Sequence, residues 1–133
     1  MVDRLVERLH AHPELGKRLF WLEGISDEYL EKVYAASTCL IAASYGEGFG
    51  LPLIEAAQHK LPIIARDIPV FREVAGTHAY YFSATAASDL AQSLNNWLGL
   101  FRIDQHHKSD AMPWQSWKTS AARLMGFVLN LNA

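Results

Sequence analysis

Residues 39–57 read CLIAASYGEGFGLPLIEAA, and their three parts decide the fold. Residues 39–44, CLIAAS, form a continuous apolar run, the pattern of a strand covered on both faces in a parallel sheet. Residues 45–50 hold Gly46, Gly48 and Gly50, three positions able to take positive φ and to approach a ligand without a Cβ in the way. Leu51 then begins an apolar stretch with Pro52 in its first turn, where a missing N–H costs nothing, so a helix is expected over about residues 51–59. Strand, glycine turn and helix together make a βα unit.

The flanks repeat the unit. At the start, Leu5, Val6 and Leu9 share one helical stripe, which HPELGKR (12–18) breaks with proline and glycine. LFWLEG (19–24) reads as a short strand. Ser26 is a natural N-cap, Asp27 and Glu28 complement the dipole of the first turn, and Leu30, Val33 and Tyr34 line one face of a helix over 27–36. Downstream, LPIIARD (61–67) is a second two-sided apolar strand, and Asp67, as a cap, with Pro69 opens a short helix through Val74. AYYFS (79–83) is a further strand, a helix runs from Asp89 to about Leu100, and PWQSWKTSAARLMGFVLNL (113–131) forms a long final helix. FRIDQHHKSDAM (101–112) is expected to be a surface loop between the last two helices. The order implies an α/β fold, a Rossmann-like, mostly parallel sheet of about four strands with helices on both faces.

Bulk properties narrow the function. With 133 residues, half of them apolar, the chain fits a single domain spanning 1–133. A net charge of -2, with 12 basic side chains scattered along the length, supplies no positive stripe of the kind nucleic acid requires. The single cysteine, Cys39, lies in an apolar run and reads as buried filler, so a reducing compartment is expected and the protein is placed in the cytoplasm. The first residues alternate charge with leucine and are neither a signal peptide nor a span.

In open parallel sheets, ligands sit beyond the carboxyl ends of the strands, and the glycine turn occupies such an end, ahead of a helix N-terminus. Its free amides and the helix dipole suit a phosphate. Glu47 lies on the turn, and Glu55 about one turn into the helix, where side chains lean back toward the N-terminus. Two carboxylates beside an anion site make sense where they accept hydrogen bonds from hydroxyls flanking the anion. A diphosphate with hydroxyls on both sides is a nucleotide sugar.

GEGFGLPLIEA (46–56), with seven residues between Glu47 and Glu55, resembles the E-x7-E element of retaining GT4-family glycosyltransferases of GT-B fold. LEGISDEYLEKVYAAS (22–37) and LPIIARDIPVFREVAG (61–76) resemble neighbouring segments of that family, and WQSWKTSA (114–121) its tryptophan-containing final helix; the likeness runs in order from Phe20 to Leu131. RDIPVFREV (66–74) is similar to bacterial mannosyltransferases of polysaccharide assembly. The resemblance implies that Glu47 contacts the transferred sugar as the catalytic-site carboxylate and that Glu55 binds the ribose. The amides of Gly48, Phe49 and Gly50, with Leu51 beside them, would line the donor sugar and diphosphate. It implies a nucleotide-sugar donor, GDP-mannose or another such as a UDP-sugar, as substrate, with no metal and no further cofactor. The acceptor, a glycan or lipid-linked glycan, would meet an N-terminal domain missing here. The family's upstream arginine–lysine segment is missing too, so the chain is similar to the downstream part of a donor-binding domain. It is expected to be inactive alone, membrane-associated at most through a longer parent, and prone to self-association through an uncovered sheet edge. A non-catalytic nucleotide-binding or interaction module of the same fold is the alternative.

Other conspicuous residues have ordinary expectations. Arg66 is assigned a surface salt bridge, and His59 favours the dipole at a helix end. His10, His12, His106 and His107 are expected to face solvent and not to ligate metal. Trp114, Trp117, Leu124 and Phe127 recur near helical spacing and are expected to pack.

Overall fold

The computed structural model describes residues 2–130, so the expected end of the last helix at Leu131 lies outside the described residues. Six helices and three strands follow in the order α1 (Val2–His10), α2 (Asp27–Ala36), β1 (Leu40–Ala42), α3 (Leu51–Gln58), β2 (Ile63–Arg66), α4 (Pro69–Ala75), β3 (Ala79–Phe82), α5 (Ala87–Arg102) and α6 (Trp117–Asn130). The chain divides into two units, Met1–Val33 and Tyr34–Ala133, with the boundary inside α2.

In the first unit, Pro13 and Gly16 end the helical stripe as anticipated. The chain turns tightly there, with the Gly16 amide donating to Leu19 O at 2.8 Å and Leu15 and Leu19 forming an isolated bridge. The expected strand over 19–24 does not form. Phe20, Trp21 and Leu22 are exposed, and Trp21 meets His10 in a T-shaped ring contact, centroids 5.4 Å apart. An apolar run becomes a strand only when a ladder partner satisfies its amides and carbonyls, and among the described residues the pairing stops at Leu19, in the isolated bridge to Leu15. Helix α2 begins as read, with the Tyr29 amide donating to Ser26 Oγ at 3.3 Å.

The second unit is built on a parallel sheet in the order β1-β2-β3, with Leu40 opposite Ile63 and Ile63 opposite Ala79. The central strand carries the core: Ile63, Ile64 and Ala65 are fully buried, as an apolar run without alternation should be. Ile64 faces a cluster of Phe82, Ala84 and Trp97, with Cys39, Tyr80, Leu90 and Leu94 packed around it, which seats α5 on that face. Ile63 and Ala65 point to the opposite face by strand alternation. There α3 lies against β1 and β2, burying Leu53, Ala56 and Ala57, and packs on α4 with Phe71 and Ala75. Helices thus cover both faces, and the α/β expectation holds with one strand fewer. Cys39 is only partly buried, against the cluster and not within it, and that burial pushes its thiol upward.

Two distal expectations are corrected. The 101–112 stretch is partly an extension of α5 and partly a packed strap, for Ser109 is buried and its hydroxyl donates to Leu61 O at 2.7 Å, just ahead of β2. Met112 is buried with it, and the His106 side chain, far from facing solvent, packs against Trp97 and Phe101, centroids 6.0 and 4.9 Å away. Helix α6 forms, opened by Ser116 Oγ accepting from the Thr119 amide at 3.1 Å. Trp114, just ahead of it, and Trp117, Leu124 and Phe127 within it are exposed and not packed as expected, Trp117 by 80%. Helical periodicity creates an apolar stripe but does not supply the surface that covers it.

Candidate functional site

The glycine turn leaves β1 at the carboxyl edge of the sheet and enters α3. Only one of its three glycines needs its special backbone. Gly50 sits at φ 66, ψ 31 as the N-cap of α3, a left-handed conformation that costs an ordinary residue about 1–2 kcal/mol. It is also tight, since a Cβ there would lie 3.3 Å from Val74 Cγ2 and 3.6 Å from Phe71 Cδ1. Gly46 and Gly48 do not adopt positive φ, contrary to the expectation, and a Cβ on either would meet nothing within 4 Å. The protein itself leaves the space at both positions open. No side chain caps α3, and Pro52 brings no N–H to its first turn, so the positive end of the dipole faces the turn without a built-in anion.

Glu47, Gly48 and Phe49 lie exposed on the turn, with Leu51 exposed at the helix start and Gly50 buried between. Glu47 Oε1 accepts from the Gly48 amide at 3.1 Å. That contact between chain neighbours in water is cheap to exchange for a ligand oxygen. Glu55, half-buried in the second turn of α3, has a different setting: the Tyr34 hydroxyl donates to its Oε2 at 2.8 Å. Tyr34 comes from the last turn of α2 and is buried, its ring stacked on His59 at 5.4 Å with an interplanar angle of 11°. His59 is the C-cap of α3, the end anticipated from the dipole. The two glutamates therefore flank the turn, one on the open loop and one anchored on the helix, with no bond between them.

Arg66, at the end of β2, makes no surface salt bridge among the described residues. Its Nε donates to Ala43 O at 3.1 Å and its Nη1 to Ala84 O at 2.8 Å, joining the chain just past β1 to the chain just past β3. Its guanidinium also lies 4.0 Å over the Tyr45 ring. One cation thus ties the carboxyl ends of all three strands beside the turn. The sequence signal for it was only its place at a strand end, because carbonyl partners 18 and 23 residues away leave no local pattern. Asp67 is likewise no cap; Ile68 occupies the N-cap of α4, and Asp67 forms a two-pronged pair with Arg72 at 2.7 and 2.8 Å. Hydrogen bonding from Arg72 holds the Asp67 carboxyl below its ordinary value. Arg72 in turn covers the Tyr81 ring at 3.7 Å.

Among the described residues, no three or more of His, Cys, Asp and Glu gather as a metal site would require. No helix there is long and apolar enough to cross a membrane.

A parallel sheet with helices on both faces, and a glycine turn between two carboxylates at its carboxyl edge, define a Rossmann-like α/β protein. Residues 3–106 match the family described as "Glycosyl transferases group 1", and the chain belongs to that family. It is 56% identical over 124 residues to the serotype-specific mannosyltransferase WbdA of Escherichia coli, an alignment covering 93% of this chain and 15% of that protein. The O-antigen chain mannosyltransferase RfbU of Salmonella typhimurium is 34% identical over 83 residues, covering 62% of this chain and 24% of the relative. The chain thus spans only a small part of these relatives. Among solved structures, a sucrose-phosphate synthase from Thermosynechococcus elongatus superposes with a TM-score of 0.73 at 23% identity, over 98% of this chain and 34% of that one. That likeness is one of fold, the GT-B type, and the resemblance read from the glycine turn holds for both family and fold.

Proposed function

We propose that this chain is the donor-binding region of a retaining glycosyltransferase that transfers a hexose, mannose from GDP-mannose, to a glycan or lipid-linked acceptor in polysaccharide assembly. The observation that carries the reading is the exposed glycine turn at the carboxyl edge of the sheet, flanked by Glu47 and Glu55, with the space at Gly46 and Gly48 left open by the protein. The mannosyltransferase names of the relatives support the choice of sugar.

In this reading the amides of Gly48, Phe49 and Gly50, backed by the α3 dipole, receive the diphosphate and stabilise the charge it gains on leaving. Glu55 accepts from the ribose hydroxyls. Glu47 releases the Gly48 amide to the donor and accepts from hydroxyls of the sugar, holding it for attack on the face it left. Donor binding needs no metal, because helix dipole and amides supply the positive field. Residues 1–133 serve as one partial donor domain in the cytoplasm. The acceptor side belongs to the rest of a longer enzyme, which also brings any membrane association, so the isolated chain binds without transferring. The outer edge of β1, where Ile41 is exposed, is the surface through which it self-associates; a monomer in light scattering at high concentration would count against this.

A thermal-shift panel with GDP, UDP and ADP tests the reading. GDP should raise the melting temperature most, and Glu55→Ala should shrink the rise to what the diphosphate alone supplies. A rise undiminished in Glu55→Ala, or none with any nucleotide, overturns it.

A further inference from the structure

We infer that Tyr34 is a positioning residue for nucleotide recognition: its hydroxyl fixes the Glu55 carboxylate in the orientation that receives a vicinal diol. The inference rests on the nucleotide-sugar reading above.

Glu55 and His59 stand four residues apart on α3 and so share one face of it. Tyr34 lies along that face, its ring on His59 and its hydroxyl on Glu55 Oε2. The ring is buried and stacked, so the hydroxyl has little freedom to move. A carboxylate offers about four lone-pair directions. Tyr34 occupies one on Oε2, and no other hydrogen bond to this carboxylate is made among the described residues. Two adjacent hydroxyls of a ribose present two donors at about the spacing of the two carboxylate oxygens, and a carboxylate already held in place can accept both without first surrendering rotamer freedom. A glutamate in water would lose that freedom on binding. Glu47 shows the contrast, as its contact is with its own chain neighbour on an exposed loop. Tyr34 touches Glu55 and not the ligand, so its contribution should appear only with ligands that engage Glu55.

That selectivity separates positioning from plain packing. Calorimetric titration of the chain with GDP and with 2′,3′-dideoxy-GDP, for the unsubstituted protein, Tyr34→Phe and Glu55→Gln, reads it directly. The unsubstituted chain should prefer GDP. Tyr34→Phe keeps the ring and its stacking, so dideoxy-GDP should bind unchanged, which also reports that the variant is folded. GDP should weaken about tenfold, the scale of one side chain left to be ordered by the ligand. Glu55→Gln should erase the preference for GDP, and adding Tyr34→Phe to it should change nothing further. If Tyr34→Phe weakens both ligands equally, or neither, while Glu55→Gln erases the preference, the positioning role is wrong and the nucleotide reading stands. If Glu55→Gln leaves the preference intact, or the unsubstituted chain binds neither ligand, the reading beneath fails and takes the inference with it.

Discussion

The two ends of the glycine turn are built differently. On the helix side, Gly50 is locked under Val74 and Phe71, and Glu55 is tied through Tyr34 to a ring stacked on His59. On the loop side, Glu47, Gly48 and Phe49 stand exposed, with Glu47 bonded to the amide of its own neighbour Gly48. The difference assigns tasks. The anchored end can present a preset acceptor, whereas the loop end can close around whatever the anchored end has positioned. Substitutions at the anchored end should therefore cost stability and binding together, and those at the loop end binding alone.

The largest effect should come from the floor of the anchored end. Phe71→Ala empties a buried site against Gly50 and should cost about 3–5 kcal/mol in urea unfolding; a cost below 1 kcal/mol would mean that the floor does not hold the turn. Gly50→Ala comes next, at about 1–2 kcal/mol from the left-handed backbone, and it should also weaken nucleotide binding by shifting the amides. Intact stability with this variant would break the distinction between the two ends. Glu47→Gln should leave the melting temperature unchanged and leave GDP affinity nearly intact, while GDP-mannose loses whatever advantage it has over GDP; a lowered melting temperature would show that the loop end is structural after all.

The smallest effect lies away from the turn, at the start of α5. There Asp89 Oδ2 accepts from the amides of Ala86 and Thr85, and these bonds hold its carboxyl below the ordinary value. A depressed carboxyl adds stability that is present above its unfolded value, near 3.8, and is lost as pH falls through the lower folded one. Asp89→Asn should lower the melting temperature slightly at neutral pH, and the difference from the unsubstituted chain should shrink toward pH 3. A difference constant with pH would mean that the Asp89 carboxylate does not stabilise the start of α5.

Much of the scaffold could be read from the chain because local chemistry determines it. The buried run at 63–65 was legible as a two-sided strand, Ser26 as a cap, Pro52 as the first turn of a helix, and Gly50 as a position able to take positive φ. What failed depended on partners far along the chain. LFWLEG carries strand chemistry but lacks a strand beside it, and the stripe of α6 lacks a cover among the described residues. Arg66 and Asp67 are charged residues at a strand end, but the one prefers carbonyls 18 and 23 residues away and the other an arginine five residues on. At the site, the glycine spacing exposed Glu47 and Glu55, while Tyr34 looked like one more apolar residue on a helix face. Only its hydroxyl, 2.8 Å from Glu55, gives it another task.

The most direct test of the account is a backbone amide NMR titration of the chain with GDP. The account predicts resonance shifts concentrated at Gly48, Phe49, Gly50, Leu51 and Glu55, with the strap around Ser109 unmoved. Shifts centred on that strap or on α6, with the glycine turn silent, would contradict it.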